Sequence, residues 1–397
     1  MNFCDVIVVG AGASGLSAAI SAAKLGAEVV VLEGDIKPAR RVLRTGNGRC
    51  NLTNSMISPG KDWKSAYNSP EFVTPILTEF NCDEIRRAFS RIGLLTFEDS
   101  EGRVYPITNR ARSVVDVMLN ECDELGVKII CETEIVEISR LDDGRWAVRA
   151  DDGRLFGSRS IVLATASPAK LASKLGIPTT EYYPVLGPLR TDTEIVKPMT
   201  GVRMRSRVTL EKNDREKISM SGEVLFRKYG VSGIVIFDIS RFAEIGDTIV
   251  LDLLPFISEE DLVSILKDRV SSFPNSEARY VFDGILVREV ADSIMNSCGA
   301  SSEDLARDLP VQKIAHKLKS LELKVTGGPT PEEAQVCRGG IGLEYVDPET
   351  LEVKDQPGLF VCGETLDVDA ACGGYNLHWA WSSGIVAGRS AANKLGK

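Results

Sequence analysis

Gly10, Gly12 and Gly15 stand near the start of the chain in the spacing GxGxxG, completed by Ala11, Ala13 and Ser14. That spacing does its chemistry through the backbone, because it lets N–H groups face a phosphate. Gly10 permits a tight turn, Gly12 lets the chain come against a pyrophosphate, and Gly15 lets the following helix lie close on the preceding strand. The helix N-terminus then faces the phosphate charge. Glu33 follows at about 20 residues, the distance at which an acid accepts hydrogen bonds from a ribose hydroxyl. The motif is specific only in its setting, and the setting is present. Residues 5–9 (DVIVV) read as a strand buried on both faces, residues 13–25 as a helix stopped by Gly26, and residues 27–32 (AEVVVL) as a second strand closing at Glu33. The chain therefore opens on a βαβ unit that binds a dinucleotide.

The other end of the chain decides which dinucleotide. Residues 357–388 (PGLFVCGETLDVDAACGGYNLHWAWSSGIVAG) read as a strand, a Gly-acid pair, a glycine pair and a helix start. A nicotinamide dehydrogenase has no need of such a distant return segment. Gly363-Glu364 resembles the second flavin-binding motif of two-domain flavoproteins, where the acid meets the ribityl or pyrophosphate region of FAD. In the same comparison a helix starting near Asn376 points its dipole at the flavin edge that becomes negative on reduction.

Between these ends, residues 113–125 read as a helix and residues 127–131 as a strand. Three short strands between 134 and 156, separated by Asp-Asp-Gly turns, read as an antiparallel meander, and residues 160–164 return to the buried-strand pattern. From 189 to 324 the pattern changes to strand-like stretches (203–210, 217–226, 248–253) followed by helical ones (259–272, 303–318), with no nucleotide motif. The expected organisation is a discontinuous nucleotide-binding domain, residues 1–188 and 325–397, carrying an insert. An insert of that size on a rigid scaffold is expected to cover the reactive face and set acceptor specificity.

Composition narrows the partners. The 397 residues are 43% hydrophobic and carry a net charge of -9, so a small or neutral substrate is expected rather than nucleic acid or an anionic membrane. The uncharged run 6–23 is broken by the three glycines and has no basic flank, which argues against a signal peptide or membrane span. Nine scattered cysteines without CxxC or Cys/His spacing fit a reducing cytoplasm, and predict no metal site, no disulfide framework and no disulfide-reductase chemistry. Oligomeric state is not legible.

Residues 45–54 (TGNGRCNLTN), residues 103–111 (RVYPITNRA), the pair Gly339-Gly340 and residues 363–388 together resemble the BaiN and aminoacetone-oxidase-like family of FAD-dependent oxidoreductases over the whole chain. The resemblance implies an α/β fold: a Rossmann-like FAD domain, with a parallel sheet and three-stranded meander, and an insert with a β-barrel (about 189–257) and a helical part (about 258–324). It also implies a set of FAD contacts. Gly10, Gly12, Ala13, Ser14, Gly15 and Glu33 fall on the adenosine and pyrophosphate half, with Ile135 against the adenine and Arg40 and Arg41 as a basic pair. Gly46, Gly48, Arg49, Cys50 and Asn51 lie beside the flavin, and Gly363, Glu364, Gly374, Tyr375 and Asn376 at its far end. Ala164-Thr165-Ala166 departs from the Ala-Thr-Gly of many such proteins, which bears on a close contact at Ala164. Cys372 stands where a non-thiol residue is more usual.

No catalytic residue is fixed by the sequence. Cys50, Cys372, Tyr375 and His378 are the candidates, against the plainer readings of buried thiols and a histidine that packs the helix. Lys37, Arg40, Arg41, Arg44 and Arg49 serve either a cofactor phosphate or a solvated face. The expected activity is reduction of a conjugated organic acceptor, such as a 3-oxo bile-acid-like enone, by NADH or NADPH through the flavin. With no second dinucleotide motif, reductant and acceptor would share one cleft. An amine oxidase using dioxygen and a non-catalytic redox-sensing flavoprotein are the alternatives.

Overall fold

The computed structural model describes residues 2–166, 169–212 and 217–394. Two compact units emerge: Met1–Tyr183 with Val336–Lys397, and Pro184–Gln335.

At the centre of the first unit lies the strand Asn2–Val9, whose Val6, Ile7 and Val8 are inaccessible to solvent. It pairs in parallel with Val29–Leu32 on one side and Leu155–Leu163 on the other, and Val29–Leu32 pairs with Lys128–Ile130. Leu155–Leu163 serves two neighbours along its free edge. Its first half pairs antiparallel with Trp146–Ala150, the middle of the meander begun by Ile135–Arg140, and its second half pairs in parallel with Leu359–Val361. The third meander strand and the buried strand expected at 160–164 are thus a single strand. Gly157 keeps an ordinary extended backbone there, so nothing turns the chain between the two halves. The C-terminal segment enters the N-terminal sheet through this shared strand.

Helices Ala13–Lys24 and Tyr375–Asn393 lie against each other. Their contact is backbone to backbone. A Cβ built on Gly384 would lie 2.3 Å from the Ser14 carbonyl oxygen, and one on Gly388 would lie 2.1 Å from that of Ala18. Glycines four apart share a helix face, and here that face lets the two helices approach without side chains between them.

The second unit is built on a closed antiparallel barrel, in spatial order Leu189–Thr191, Gly230–Ser232, Lys217–Arg227, Arg203–Glu211, Thr248–Asp252 and Leu321–Gly327. Helices Glu259–Ser272, Arg288–Ser297 and Val311–Lys319 lie between the fifth and sixth strands in sequence and share its core. The continuous helix expected over 303–318 is replaced by a turn, the short 3-10 segment Ala306–Asp308 and Val311–Lys319. Pro310 is the reason, because it has no N–H to continue a helix and it caps the one that follows.

Gly388→Ala is expected to lower stability by about 1–3 kcal/mol, since the added methyl has no room against Ala18 and the helices must part. Urea unfolding measures this; an unchanged midpoint would show that the two helices are free to separate.

Candidate functional site

The helices Ala13–Lys24 and Tyr375–Asn393 both begin at glycine, Gly12 and Gly374, and neither start has a side-chain cap. The first N–H groups of a helix have no partner within it, so both starts present backbone donors and the positive end of a helix dipole. At the first start the three glycines differ in what they meet. A Cβ on Gly10, which has φ +103°, would lie 2.6 Å from the Ala164 carbonyl oxygen, and one on Gly15 would lie 1.9 Å from the Gly10 carbonyl oxygen. A Cβ on Gly12 would meet nothing within 4 Å. The chain's own packing therefore requires Gly10 and Gly15, whereas Gly12 opens a cradle that no described residue fills.

Glu33 ends the second strand with its carboxylate fixed, Oε2 accepting from the Ala11 N–H at 2.6 Å and Oε1 from the Asp35 N–H at 2.9 Å. The N–H of Thr133 donates to the Glu33 carbonyl at 2.8 Å, which sets the buried Ile135 close by. Arg40 is engaged by Asp35. Arg41 reaches across to Glu364, Nη1 to Oε2 at 3.0 Å, and so joins the two ends of the chain. Burial pushes the Glu364 carboxyl above its ordinary range while Arg41 pulls it back. Ala164 is tied to the first strand, its N–H donating to the Val9 carbonyl at 2.9 Å.

The loop after Thr45 is wound in the left-handed region, with φ of 55° at Gly46, 55° at Asn47, 81° at Gly48 and 61° at Cys50. For Asn47 and Cys50 that conformation is strained, and the surroundings hold it. The Cys50 N–H donates to the Thr45 carbonyl at 3.1 Å, the Leu52 N–H donates to that of Val104 at 2.7 Å, and the Trp381 indole donates to the Leu52 carbonyl at 3.0 Å. The Arg49 guanidinium lies over the Tyr105 ring at 4.6 Å. The loop leads to the second helix start, where a Cβ on Gly374 would lie 2.6 Å from the Thr53 carbonyl oxygen and 2.9 Å from Asn51 Oδ1. That Asn51 oxygen is buried and has no hydrogen-bond partner among the described residues. An open cradle at Gly12 and an orphaned acceptor at Asn51 are what a bound group with phosphates at one end and N–H donors at the other would fill.

The second helix also holds the Gly363-Glu364 pair. The Gly363 N–H donates to Ser383 Oγ at 3.0 Å, and its carbonyl accepts from the Trp379 indole at 3.2 Å. Asn376 closes the loop before the helix, its Oδ1 accepting from the Ala370 N–H and its Nδ2 donating to the Ala370 carbonyl. Asn54 donates to the Gly373 carbonyl at 2.9 Å, and the Tyr67 hydroxyl to that of Tyr375 at 2.9 Å. Ser383, Trp379, Asn54 and Tyr67 carried no sequence signal as site residues, because each acts through a backbone atom distant in the chain. The spacing Gly384-x-x-x-Gly388 was legible and marks the helix contact.

Among the catalytic candidates, His378 is fully buried with both ring nitrogens engaged, Nδ1 accepting from Thr53 Oγ1 at 2.6 Å and Nε2 donating to the Phe80 carbonyl at 2.8 Å. It has no nitrogen to offer a substrate, and it pins the helix to two neighbouring segments. Cys50 is also fully buried, and burial pushes its thiol up to about 12, so it stays protonated and unreactive. Cys372 and Tyr375 flank the glycine pair and are partly exposed.

A family model described as the HI0933-like protein Rossmann domain matches residues 4–390. The chain belongs to the HI0933-like family. It is a family of FAD-binding oxidoreductases of the Rossmann type. The chain is 30% identical to the 3-dehydro-bile acid delta(4,6)-reductase of Clostridium scindens, covering 98% of each. It is 27% identical to the ribosomal RNA dihydrouridine synthase of Escherichia coli, covering 96% of each, and 24% identical to that of Haemophilus influenzae, covering 99% of this chain and 100% of the relative. Among solved structures, a 3-ketosteroid-delta4-(5alpha)-dehydrogenase of Rhodococcus jostii aligns with TM-score 0.50 at 15% identity, covering 98% of this chain and 97% of that one, and so shares the fold. Among the described residues no helix is long and apolar enough to cross a membrane, and no group of three or more His, Cys, Asp or Glu is placed to hold a metal ion.

Burial lowers His378 from the ordinary 6.5 to about 3. The unfolded chain takes up a proton below pH 6.5 and the folded chain does not, so this contribution to stability is whole above pH 6.5 and is lost as pH falls towards 3. The His378 ring resonance is expected to stay in its neutral position between pH 7 and 5 when followed by NMR; titration within that window would contradict the burial.

Proposed function

We propose that the protein is an FAD-dependent reductase in which NADH or NADPH reduces a carbon–carbon double bond conjugated to a carbonyl group. The observation that carries this reading is what the full-length relatives have in common. A delta(4,6) reduction of a 3-oxo steroid acid and the formation of dihydrouridine both saturate a double bond conjugated to a carbonyl. Bound FAD supplies the hydride relay, so that one NAD(P)H and one proton are consumed for each double bond reduced.

The chain's own part is binding and orientation. Gly12, Ala13, Ser14 and the helix they open would receive the pyrophosphate in the open cradle, with Gly10 and Gly15 shaping it and Arg41 adding charge. Glu33 would accept the ribose hydroxyls on the lone pairs that Ala11 and Asp35 leave, with Ile135 beside the adenine. Glu364 would meet the ribityl chain, held there by the bonds from Ser383 and Trp379 to Gly363. Gly46, Gly48, Arg49, Cys50 and Asn51 would line the ring, where Asn51 Oδ1 would find its missing donor. The N–H groups at Gly374, Tyr375 and Asn376 would stabilise the ring edge that gains negative charge.

Gly12→Val is expected to remove flavin entirely while the fold persists, because a Cβ there meets no described atom within 4 Å and the branched side chain enters the cradle. Glu33→Ala should retain flavin more weakly. Absorbance of the purified variants and their circular dichroism measure this, and unchanged flavin in Gly12→Val would refute the placement.

Anaerobic addition of NADPH or NADH should bleach the wild-type flavin, and a conjugated enone should restore its colour. Bleaching by an amine alone would replace this reading with an oxidase, and no bleaching by any donor would replace it with a binding protein.

A further inference from the structure

The chain's charge of -9 is unevenly spread. Residues 197–228 hold nine Lys and Arg against four Asp and Glu. This segment contains the two longest strands of the barrel, Arg203–Glu211 and Lys217–Arg227, which pair along their length as an antiparallel hairpin. Alternation along a strand places Arg203, Arg205 and Arg207 in one outward row at intervals of about 6.5 Å. All three are exposed, while Ser206, Val208 and Leu210 between and beyond them are buried. Arg227 is exposed at the end of the partner strand and Lys228 just beyond it.

Among the described residues the acids on this face are Glu211, Glu223 and Asp252, and each has a basic partner, Glu211 pairing with Lys217. Glu223 stands opposite Arg205 and pairs with Arg203. Asp252 stands beside Arg207, but its carboxylate is held by Lys319 Nζ at 2.8 Å. The side chains of Arg205, Arg207, Arg227 and Lys228 have no hydrogen-bond or ion-pair partner among the described residues. The remaining outward positions carry the hydroxyls of Thr209, Ser219 and Ser221 and the ion pair of Glu211 with Lys217, and neither strand bears an exposed large apolar side chain. Guanidinium and hydroxyl donors in regular array are what phosphate contacts use. A lipid surface would call for apolar side chains among the cations, and this face has none.

We infer that this hairpin is a docking surface for single-stranded RNA, held through its phosphates. The inference rests on the reductase reading in one respect: the uracil ring is itself a double bond conjugated to a carbonyl, so a flavin reductase of such bonds can act on a base, and a base within a polynucleotide has to be held by its backbone. Contacts of this kind give affinity without reading sequence and weaken steeply with salt.

The test uses the flavin-loaded full chain and a fluorescein-labelled, uridine-rich RNA oligomer, with binding followed by anisotropy across a salt series. Wild type is expected to bind, with affinity falling as salt rises. Arg205→Gln with Arg207→Gln should bind roughly tenfold or more weakly, with the slope of log affinity against log salt shallower by about 1.4, as for two lost phosphate contacts on a single strand. Flavin content and bleaching by NADPH should be unchanged in that variant, and Arg112→Gln, which alters an exposed arginine of the first unit, should bind like wild type. The inference is overturned if wild type fails to bind at low salt, if the double variant binds as well as wild type, or if Arg112→Gln weakens binding equally. Failure to bind RNA in a protein that still reduces enones removes this inference and leaves the reductase reading standing. Hairpin-dependent RNA binding in a protein whose flavin no nicotinamide bleaches supports the inference and removes the reductase reading.

Discussion

The contact of Gly384 and Gly388 with the backbone of Ser14 and Ala18 is the constraint on which the rest of the first unit depends. It brings a helix from residue 13 and a helix from residue 375 within backbone distance, and so fixes the two uncapped helix starts relative to each other. Everything at the site is referred to those starts. The cradle at Gly12 opens at one, the glycine pair at 373 and 374 turns into the other, and Gly363 is held between them by Ser14, Trp379 and Ser383. Side chains of ordinary size at this contact would separate the two starts.

Polar atoms at the site are satisfied by backbone more than by one another. Glu33 is held by two N–H groups, Asn376 by the Ala370 peptide and His378 by a hydroxyl and a carbonyl. Such groups are fixed by the fold before any ligand arrives, so little has to be reorganised on binding. The exceptions, among the described residues, are Asn51 Oδ1, Thr165 Oγ1 and Ser382 Oγ, each buried without a hydrogen-bond partner, and the strained Asn47 and Cys50 backbone lies in the same loop as Asn51. An orphaned acceptor and stored strain in one loop are features that a bound partner can relieve.

Charge is organised at two scales. Over the whole chain, acids outnumber bases, which suits a small or neutral acceptor. Locally, the two helix starts with Arg41 and the outward arginine row of the barrel hairpin run against that balance. A net charge describes the far field, whereas a phosphate in contact responds to the donors within a few ångströms.

The local sequence determined the opening βαβ unit, the dinucleotide motif with its acid at residue 33 and the return segment of a strand, a glycine-rich loop and a helix. Each of these is written in contiguous residues through turn chemistry and hydrophobic period, which is why they were legible. The same reasoning broke the long strand 155–163 in two, because a strand shared by two partitions has two burial patterns, and it ran a helix through Pro310. It also left His378 and Cys50 as candidates for chemistry. Only the tertiary structure decided that both are buried, since burial of a residue at 378 is set by residues 53 and 80, and no local pattern reports neighbours so far along the chain.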